Sequence, residues 1–151
     1  MTDGERAATY AIVVARFYTE IADRLVAGAT EVFQAAGASV DVHDVPGAFE
    51  LPLAARLCAD SGRYSGVACL GCVIRGETDH YEFVCAEAAR GIAEVGLETR
   101  LPCAFGVLTV ESREQAMQRS GGGKRHGGRE AAEAVLAMVE LGRALGPAAQ
   151  R

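Results

Sequence analysis

The sequence predicts an α/β fold in which a four-stranded parallel sheet lies between two layers of helices. Short apolar segments alternate with amphipathic helical segments along the chain, which favours strand–helix–strand units and parallel strands. The segment Val67–Ile74 is apolar or glycine throughout, as expected of a strand that is buried on both faces. Glycine or proline stands between several of these segments and predicts short connections.

The first half of the chain predicts two strands, each followed by a helix. Tyr10–Ala15 is a short apolar strand, and Thr19 is a plausible N-cap for a helix that ends near the next glycine. Val40–Val45 alternates apolar and polar residues, as a less buried strand does. Pro46-Gly47 then turns the chain into a helix from about Phe49 to Ala59.

The second half supplies two more strands and three more helices. The buried strand Val67–Ile74 leads into a helix from His80 to about Leu97. A fourth strand covers Cys103–Thr109, a short helix covers Ser112–Arg119, and a last helix runs from about Arg129 to Leu145. The last helix places five apolar or small residues on one face: Ala131, Val135, Met138, Val139 and Gly142. With right-handed crossovers, these elements form a three-layer αβα sandwich of the flavodoxin-like kind.

The composition predicts one soluble domain over residues 1–151, with residues 1–8 expected to be frayed. Half of the residues are apolar and the formal net charge is −5, which argues against general nucleic-acid binding. An anionic ligand must therefore be held by local cations. The sequence has no apolar run of membrane-spanning length and no signal-peptide pattern, so we expect a cytoplasmic location and no membrane partner.

The five cysteines are expected to be structural thiols. Cys69 and Cys72 form a C-x-x-C pattern, but it lies within a strand, where positions three apart point to opposite faces. Redox pairs of this kind lie instead at a helix start. A zinc site would need a second pair at ligand spacing, so no metal is expected.

The loop after the third strand is the strongest candidate for catalysis. It carries Arg75, Glu77 and Thr78 and brings His80 to a helix N-terminus, beside the carboxyl end of a buried strand. Open α/β sheets bind ligands at this edge. The helix dipole favours a neutral imidazole there, which can accept a proton near pH 7.

Two other loops carry candidate binding residues. Phe17 follows the first strand and Phe49 follows the second, so a flat ligand ring could stack on either ring. Taken singly, each aromatic is equally consistent with an anchor that closes the core beneath its loop. Glu50 opens a helix, where the dipole alone favours a carboxylate.

The glycine-rich stretch from Arg119 to Gly128 resembles an anion site. It combines cationic side chains with a helix N-terminus directly afterwards, whose free N–H groups attract phosphate. It lacks the spacing of a P-loop. On its own, it is equally consistent with a flexible, solvated loop.

Taken together, these segments resemble the 6,7-dimethyl-8-ribityllumazine synthase family of riboflavin biosynthesis. The likeness extends from Tyr10 to about Leu141 and rests on several ordered motifs. These are Ala15-Arg16-Phe17, Val45-Pro46-Gly47-Ala48-Phe49-Glu50-Leu51-Pro52, Leu70-Gly71-Cys72-Val73-Ile74-Arg75-Gly76-Glu77-Thr78 with His80, Phe105-Gly106-Val107-Leu108-Thr109, and Glu114-Gln115-Ala116 with Arg119.

The resemblance implies a transferase that uses neither cofactor nor metal. It condenses 5-amino-6-(D-ribitylamino)uracil with 3,4-dihydroxy-2-butanone 4-phosphate and releases phosphate and water. It also implies that His80 moves protons, that Glu130 orients this histidine, and that Phe105 and Arg119 come from a neighbouring subunit. The implied substrate-binding residues are Phe17, Ala48, Phe49, Glu50, Cys72, Val73, Ile74, Glu77, Thr78, Phe105 and Arg119.

The chain departs from the family pattern at two places. Tyr18 stands where the family commonly has asparagine. The family often ends its glycine loop in asparagine-lysine-glycine, where this chain has His126-Gly127-Gly128, so a lysine near the phosphate is missing and Lys124, Arg125 or His126 is a candidate substitute. The glycine loop governs assembly in the family. Its length here suits a sixty-subunit shell, but its residues differ and the N-terminus is short, so we expect a pentamer, with a decamer or a shell left open. Two other functions remain open: a flavodoxin-like flavin carrier, and a catalytically weak paralogue that binds flavin or lumazine or serves as a shell protein.

Overall fold

The computed structural model describes residues 7–146 and contains four strands and five helices in that range. The strands are β1 (Thr9–Ala15), β2 (Ser39–Val45), β3 (Val67–Ile74) and β4 (Cys103–Val110). The helices are α1 (Thr19–Ala35), α2 (Leu51–Ser61), α3 (His80–Thr99), α4 (Arg113–Gln118) and α5 (Gly127–Leu145). Residues 1–8 were expected to be frayed, and residues 1–6 lie outside the described range. The carbonyl of Ala8 accepts a hydrogen bond from Ser39 N.

The four strands form one parallel sheet in the order β2-β1-β3-β4. Alternate residues of β1 enter two separate apolar clusters, because successive side chains of a strand point to opposite faces. One cluster includes residues of α1, α4 and α5, and the other includes residues of α2 and α3. The predicted three-layer, flavodoxin-like sandwich is confirmed.

Some helix boundaries differ from the prediction for local reasons. Thr19 is the first residue of α1 and Tyr18 is its N-cap, so Thr19 does not act as the cap. Ala48–Glu50 forms a separate 3₁₀ turn before α2. Pro52 lacks an N–H, so the α-helical hydrogen bond that would join this turn to α2 cannot form.

The last helix begins earlier than predicted and exposes part of its predicted inner face. α5 starts at Gly127, and the side chain of His126 caps it by accepting a hydrogen bond from Arg129 N at 3.4 Å. Ala131 and Val135 are buried as predicted, whereas Met138 is 52% exposed.

Candidate active site

A first cleft of about 390 Å³ opens at the carboxyl ends of β1 and β3. Loops after β1, β2 and β3 converge there, as expected at this edge of a parallel sheet. Eight of the predicted site residues line it together: Phe17, Ala48, Phe49, Glu50, Cys72, Val73, Ile74 and His80. Glu77 and Thr78 lie in the exposed loop just before His80, outside this lining.

The two aromatic rings of the cleft are exposed to solvent. Phe17 is 75% exposed and Phe49 is 60% exposed, so neither ring closes the core beneath its loop. Tyr18 contacts Phe17 edge-on, with 4.9 Å between ring centroids. Exposed rings beside a cleft offer flat apolar surfaces on which a heterocycle can stack.

Arg16 holds the Phe17 loop in place, a role that the sequence motif alone did not indicate. Its Nε donates to Asp44 at 2.8 Å, and its guanidinium also pairs with Asp23 on α1. These carboxylates, Asp44 foremost, raise the pKa of Arg16. The sequence signal was a cation directly after β1 with an aspartate near the end of the neighbouring strand β2.

The polar groups of the first cleft are arranged by local hydrogen bonds. Glu50 Oε1 accepts a hydrogen bond from Gly47 N at 2.9 Å, so its carboxylate closes the turn that carries Ala48 and Phe49. His80 is the first residue of α3, is exposed, and donates its backbone N–H to Thr78 Oγ1 at 3.3 Å.

The cysteines behave as structural thiols. Burial raises the pKa of Cys72 to about 11, so the thiol that lines the cleft is neutral and forms part of the wall. Cys69 and Cys72 belong to opposite apolar clusters, and all five cysteines are free. Among residues 7–146, no cluster of three or more histidine, cysteine, aspartate or glutamate side chains could hold a metal.

A second cleft of about 520 Å³ lies between β4 and the start of α5. Phe105, Arg119, Arg125 and Glu130 line it. Phe105 is 42% exposed, and Arg119 Nη1 donates to the carbonyl of Gln115 at 3.4 Å. Arg125 Nε donates to Glu130 Oε2 at 3.0 Å, and this hydrogen bond lowers the pKa of Glu130.

Hydrogen bonds within the chain occupy part of the helix terminus that was expected to attract an anion. Gly127 N donates to the carbonyl of Arg119 at 2.8 Å, and Arg129 N donates to His126 Nδ1. The chain itself thus takes N–H groups that were expected to attract phosphate. The positive charge of this cleft comes instead from Arg119 and Arg125, whereas Lys124 lies outside its lining.

The two clefts share no lining residue. His80 lies in the first and Glu130 in the second, where Glu130 pairs with Arg125. One copy of the chain therefore divides the predicted site residues, apart from Glu77 and Thr78, between two separate places.

The fold and the first cleft define the class: a flavodoxin-like α/β protein with a small-molecule cleft at the carboxyl edge of its sheet. Among residues 7–146, no helix has both the length and the apolar character needed to cross a membrane. The family profile described as 6,7-dimethyl-8-ribityllumazine synthase matches residues 7–143.

A curated relative bears the same enzyme name as this family profile. "6,7-Dimethyl-8-ribityllumazine synthase 1" of Caulobacter vibrioides (strain ATCC 19089 / CIP 103742 / CB 15) is 49% identical over 133 residues, which cover 86% of this chain and 87% of the relative. The chain belongs to the 6,7-dimethyl-8-ribityllumazine synthase family. It is a transferase of riboflavin biosynthesis.

Proposed function

We propose that the catalytic site forms between two copies of this chain, each of which contributes one of its two clefts. The first cleft of one copy holds the aminouracil, with Phe17 stacked on the pyrimidine. The second cleft of a neighbour adds Phe105 and Arg119. The observation that carries this proposal is the division of eleven of the thirteen predicted site residues between two clefts with no common residue.

The 5-amino group of the aminouracil attacks the ketone of the butanone phosphate, and loss of water gives an imine. Elimination of phosphate and ring closure with loss of a second water then give the lumazine. Each step needs oriented reactants and proton transfer, which a cleft and one histidine can supply. His80 moves the protons, and Arg119 with the Glu77–Thr78 loop binds the phosphate.

Within this proposal, Glu130 acts across the subunit boundary. In a single copy it pairs with Arg125 and lies in the other cleft from His80. In the assembled site it would approach the His80 of the adjacent copy and orient the imidazole. We further propose that the assembly is a closed ring, because head-to-tail contacts must either close into a ring or continue as a filament. Five copies per ring and a cytoplasmic location, both expected from the sequence, are part of this proposal.

Arg119→Ala tests the phosphate role. A guanidinium–phosphate contact is charge-assisted and contributes on the order of 1.5–3 kcal/mol, so the KM for the butanone phosphate should rise about 10- to 150-fold. The KM for the aminouracil should stay nearly unchanged. Lumazine absorbance gives both constants, and equal weakening of both substrates would remove Arg119 from the phosphate site.

Arg129→Ala is the matched control for this test. Arg129 lies on α5 near the same cleft but does not line it, and its Nη1 donates to Glu31 at 2.9 Å. We expect both KM values of this variant to match those of the unchanged chain.

A further inference from the structure

Arg75 joins three segments of the chain at the edge of the first cleft. It follows β3 directly, and its backbone N–H donates to the carbonyl of Val110 at 2.9 Å. Its guanidinium pairs with Glu82 on α3 and donates from Nε to Glu111 Oε1, after β4, at 3.2 Å. It also lies over the ring of Tyr81, 4.3 Å from the ring centroid.

These contacts converge on the helical turn that carries His80. Tyr81 and Glu82 are the two residues after His80 and belong to the first turn of α3. The N-cap of this helix, Asp79, makes no side-chain capping hydrogen bond. Besides Thr78 Oγ1, which accepts a hydrogen bond from His80 N at 3.3 Å, Arg75 holds this first turn of α3 from the side.

A guanidinium is better suited than an ammonium to hold this helical turn in place. Its planar fork can address two carboxylates in fixed directions while its face lies on an aromatic ring, whereas lysine offers a compact charge on a flexible stem. The hydrogen bond from Arg75 lowers the pKa of Glu82. Exposed ion pairs add little to global stability, so we expect geometry to be the main consequence of the cluster.

We propose that Arg75 is a positioning residue that fixes the first turn of α3, and with it His80, against the carboxyl edge of the sheet. The catalytic part of this inference rests on the proposed function of His80. Arg75 itself acts through Glu82, Tyr81 and Glu111, without touching substrate.

The test compares Arg75→Met with Arg75→Lys and with a control, Arg90→Met. Arg90 also pairs with two carboxylates, Glu87 at 2.8 Å and Glu94 at 2.7 Å, but all three residues lie on α3 and hold no loop. The readouts are kcat, both KM values, and amide hydrogen exchange of the peptide that covers residues 77–84.

We expect Arg75→Met to lower kcat about tenfold or more, because small misplacements of a reacting group cost rate steeply. The KM for the aminouracil should stay within about twofold, since Phe17 and the backbone of Ala48–Glu50 are untouched. Exchange in peptide 77–84 should become several-fold faster, since local opening controls amide exchange. Arg75→Lys should show a smaller loss of kcat and a smaller gain in exchange rate than Arg75→Met. Arg90→Met should match the unchanged chain in both.

Unchanged exchange in peptide 77–84 of Arg75→Met would overturn the inference, whatever the activity. Faster exchange with an unchanged kcat would overturn its catalytic part. If the unchanged chain formed no lumazine, the proposed function would fail, whereas the exchange rates would still decide whether Arg75 fixes this turn.

Discussion

At the scale of single residues, two of the three histidines stand at helix starts but have different surroundings. His80 is exposed at the rim of the first cleft, where its imidazole can meet a ligand. His126 is half-buried against Gly28 and Gly121, and its Nδ1 caps α5. Residue type and helix position alone do not separate a proton carrier from a cap, because the difference lies in what packs around each ring.

His80→Ala tests the proton-transfer role. Turnover should fall about ten- to a few-hundredfold, at or below the usual range for a general acid or base, because proximity supplies part of the rate. His43→Gln is the control, since His43 lies on β2 and bonds to Tyr64 at 2.8 Å, away from both clefts. Unchanged turnover in a folded His80→Ala protein would exclude His80 from the mechanism.

His126 should make stability depend on pH. Burial lowers the pKa of His126 below the ordinary 6.5, and the positive charges of Arg129 and Arg24 lower it further. The negative charge of Glu31 opposes this shift. The unfolded chain then binds more protons than the native one, so the contribution is present above about pH 6.5 and is lost as pH falls through the lower native pKa. Protonation of Nδ1 also removes the acceptor that caps Arg129 N.

Chemical denaturation at pH 7.5 and pH 5.5 measures this dependence. The free energy of unfolding should decrease toward pH 5.5 in the unchanged chain. It should decrease less in His126→Asn, which keeps a capping side chain that does not titrate. Equal pH slopes for the two proteins would show that His126 is not responsible.

At the scale of elements, local patterns predicted β3 and the start of α3 correctly, because an uninterrupted apolar run and the polar loop after it are local signals. The start of α5 depended on a distant contact. The ring of His126, which caps this helix, packs against Gly28 of α1. The sequence also did not show that Arg119 and His126 accept hydrogen bonds from Gly127 N and Arg129 N.

Gly128→Ala tests the close packing of α1 on α5. A Cβ at this position would lie 2.1 Å from the carbonyl oxygen of Leu25, a backbone atom that cannot easily move. We expect a loss of about 1–3 kcal/mol in unfolding free energy, as for other overpacked sites. Gly142→Ala, on the same helix with nothing within 4 Å of its Cβ, should instead stabilise the fold by about 0.5–1 kcal/mol. Similar changes for both variants in a denaturation series would contradict this account of the packing.

At the scale of the whole molecule, large apolar side chains remain exposed on three helices. Leu53 and Leu57 on α2 are 64% and 61% exposed, and Leu97 on α3 is 83% exposed; Met138, Leu141 and Leu145 on α5 are also exposed. Groups of exposed apolar side chains are typical of contact surfaces. They support the proposal that copies of this chain associate, as a divided site requires.

The sequence placed the binding loops at the carboxyl edge of the sheet, because every parallel strand ends there. The sequence patterns alone did not show that the site residues line two separate clefts. Phe105 lies within β4 and Arg119 directly follows α4, and both line the cleft beside α5. This division depends on which side of an edge strand each side chain occupies and on how α5 packs beside it.

The most direct test of the divided site mixes two impaired variants, His80→Ala and Arg119→Ala, by refolding them together. The assay holds the butanone phosphate below its KM, so that each parent ring alone is nearly inactive. In equal mixtures, about a quarter of the interfaces should pair an intact first cleft with an intact second cleft. The mixture should therefore regain about a quarter of the activity of the unchanged chain. Parent rings combined without refolding serve as the control and should stay inactive. Mixed rings as inactive as their parents, or an active species that sediments as a monomer, would contradict the divided site.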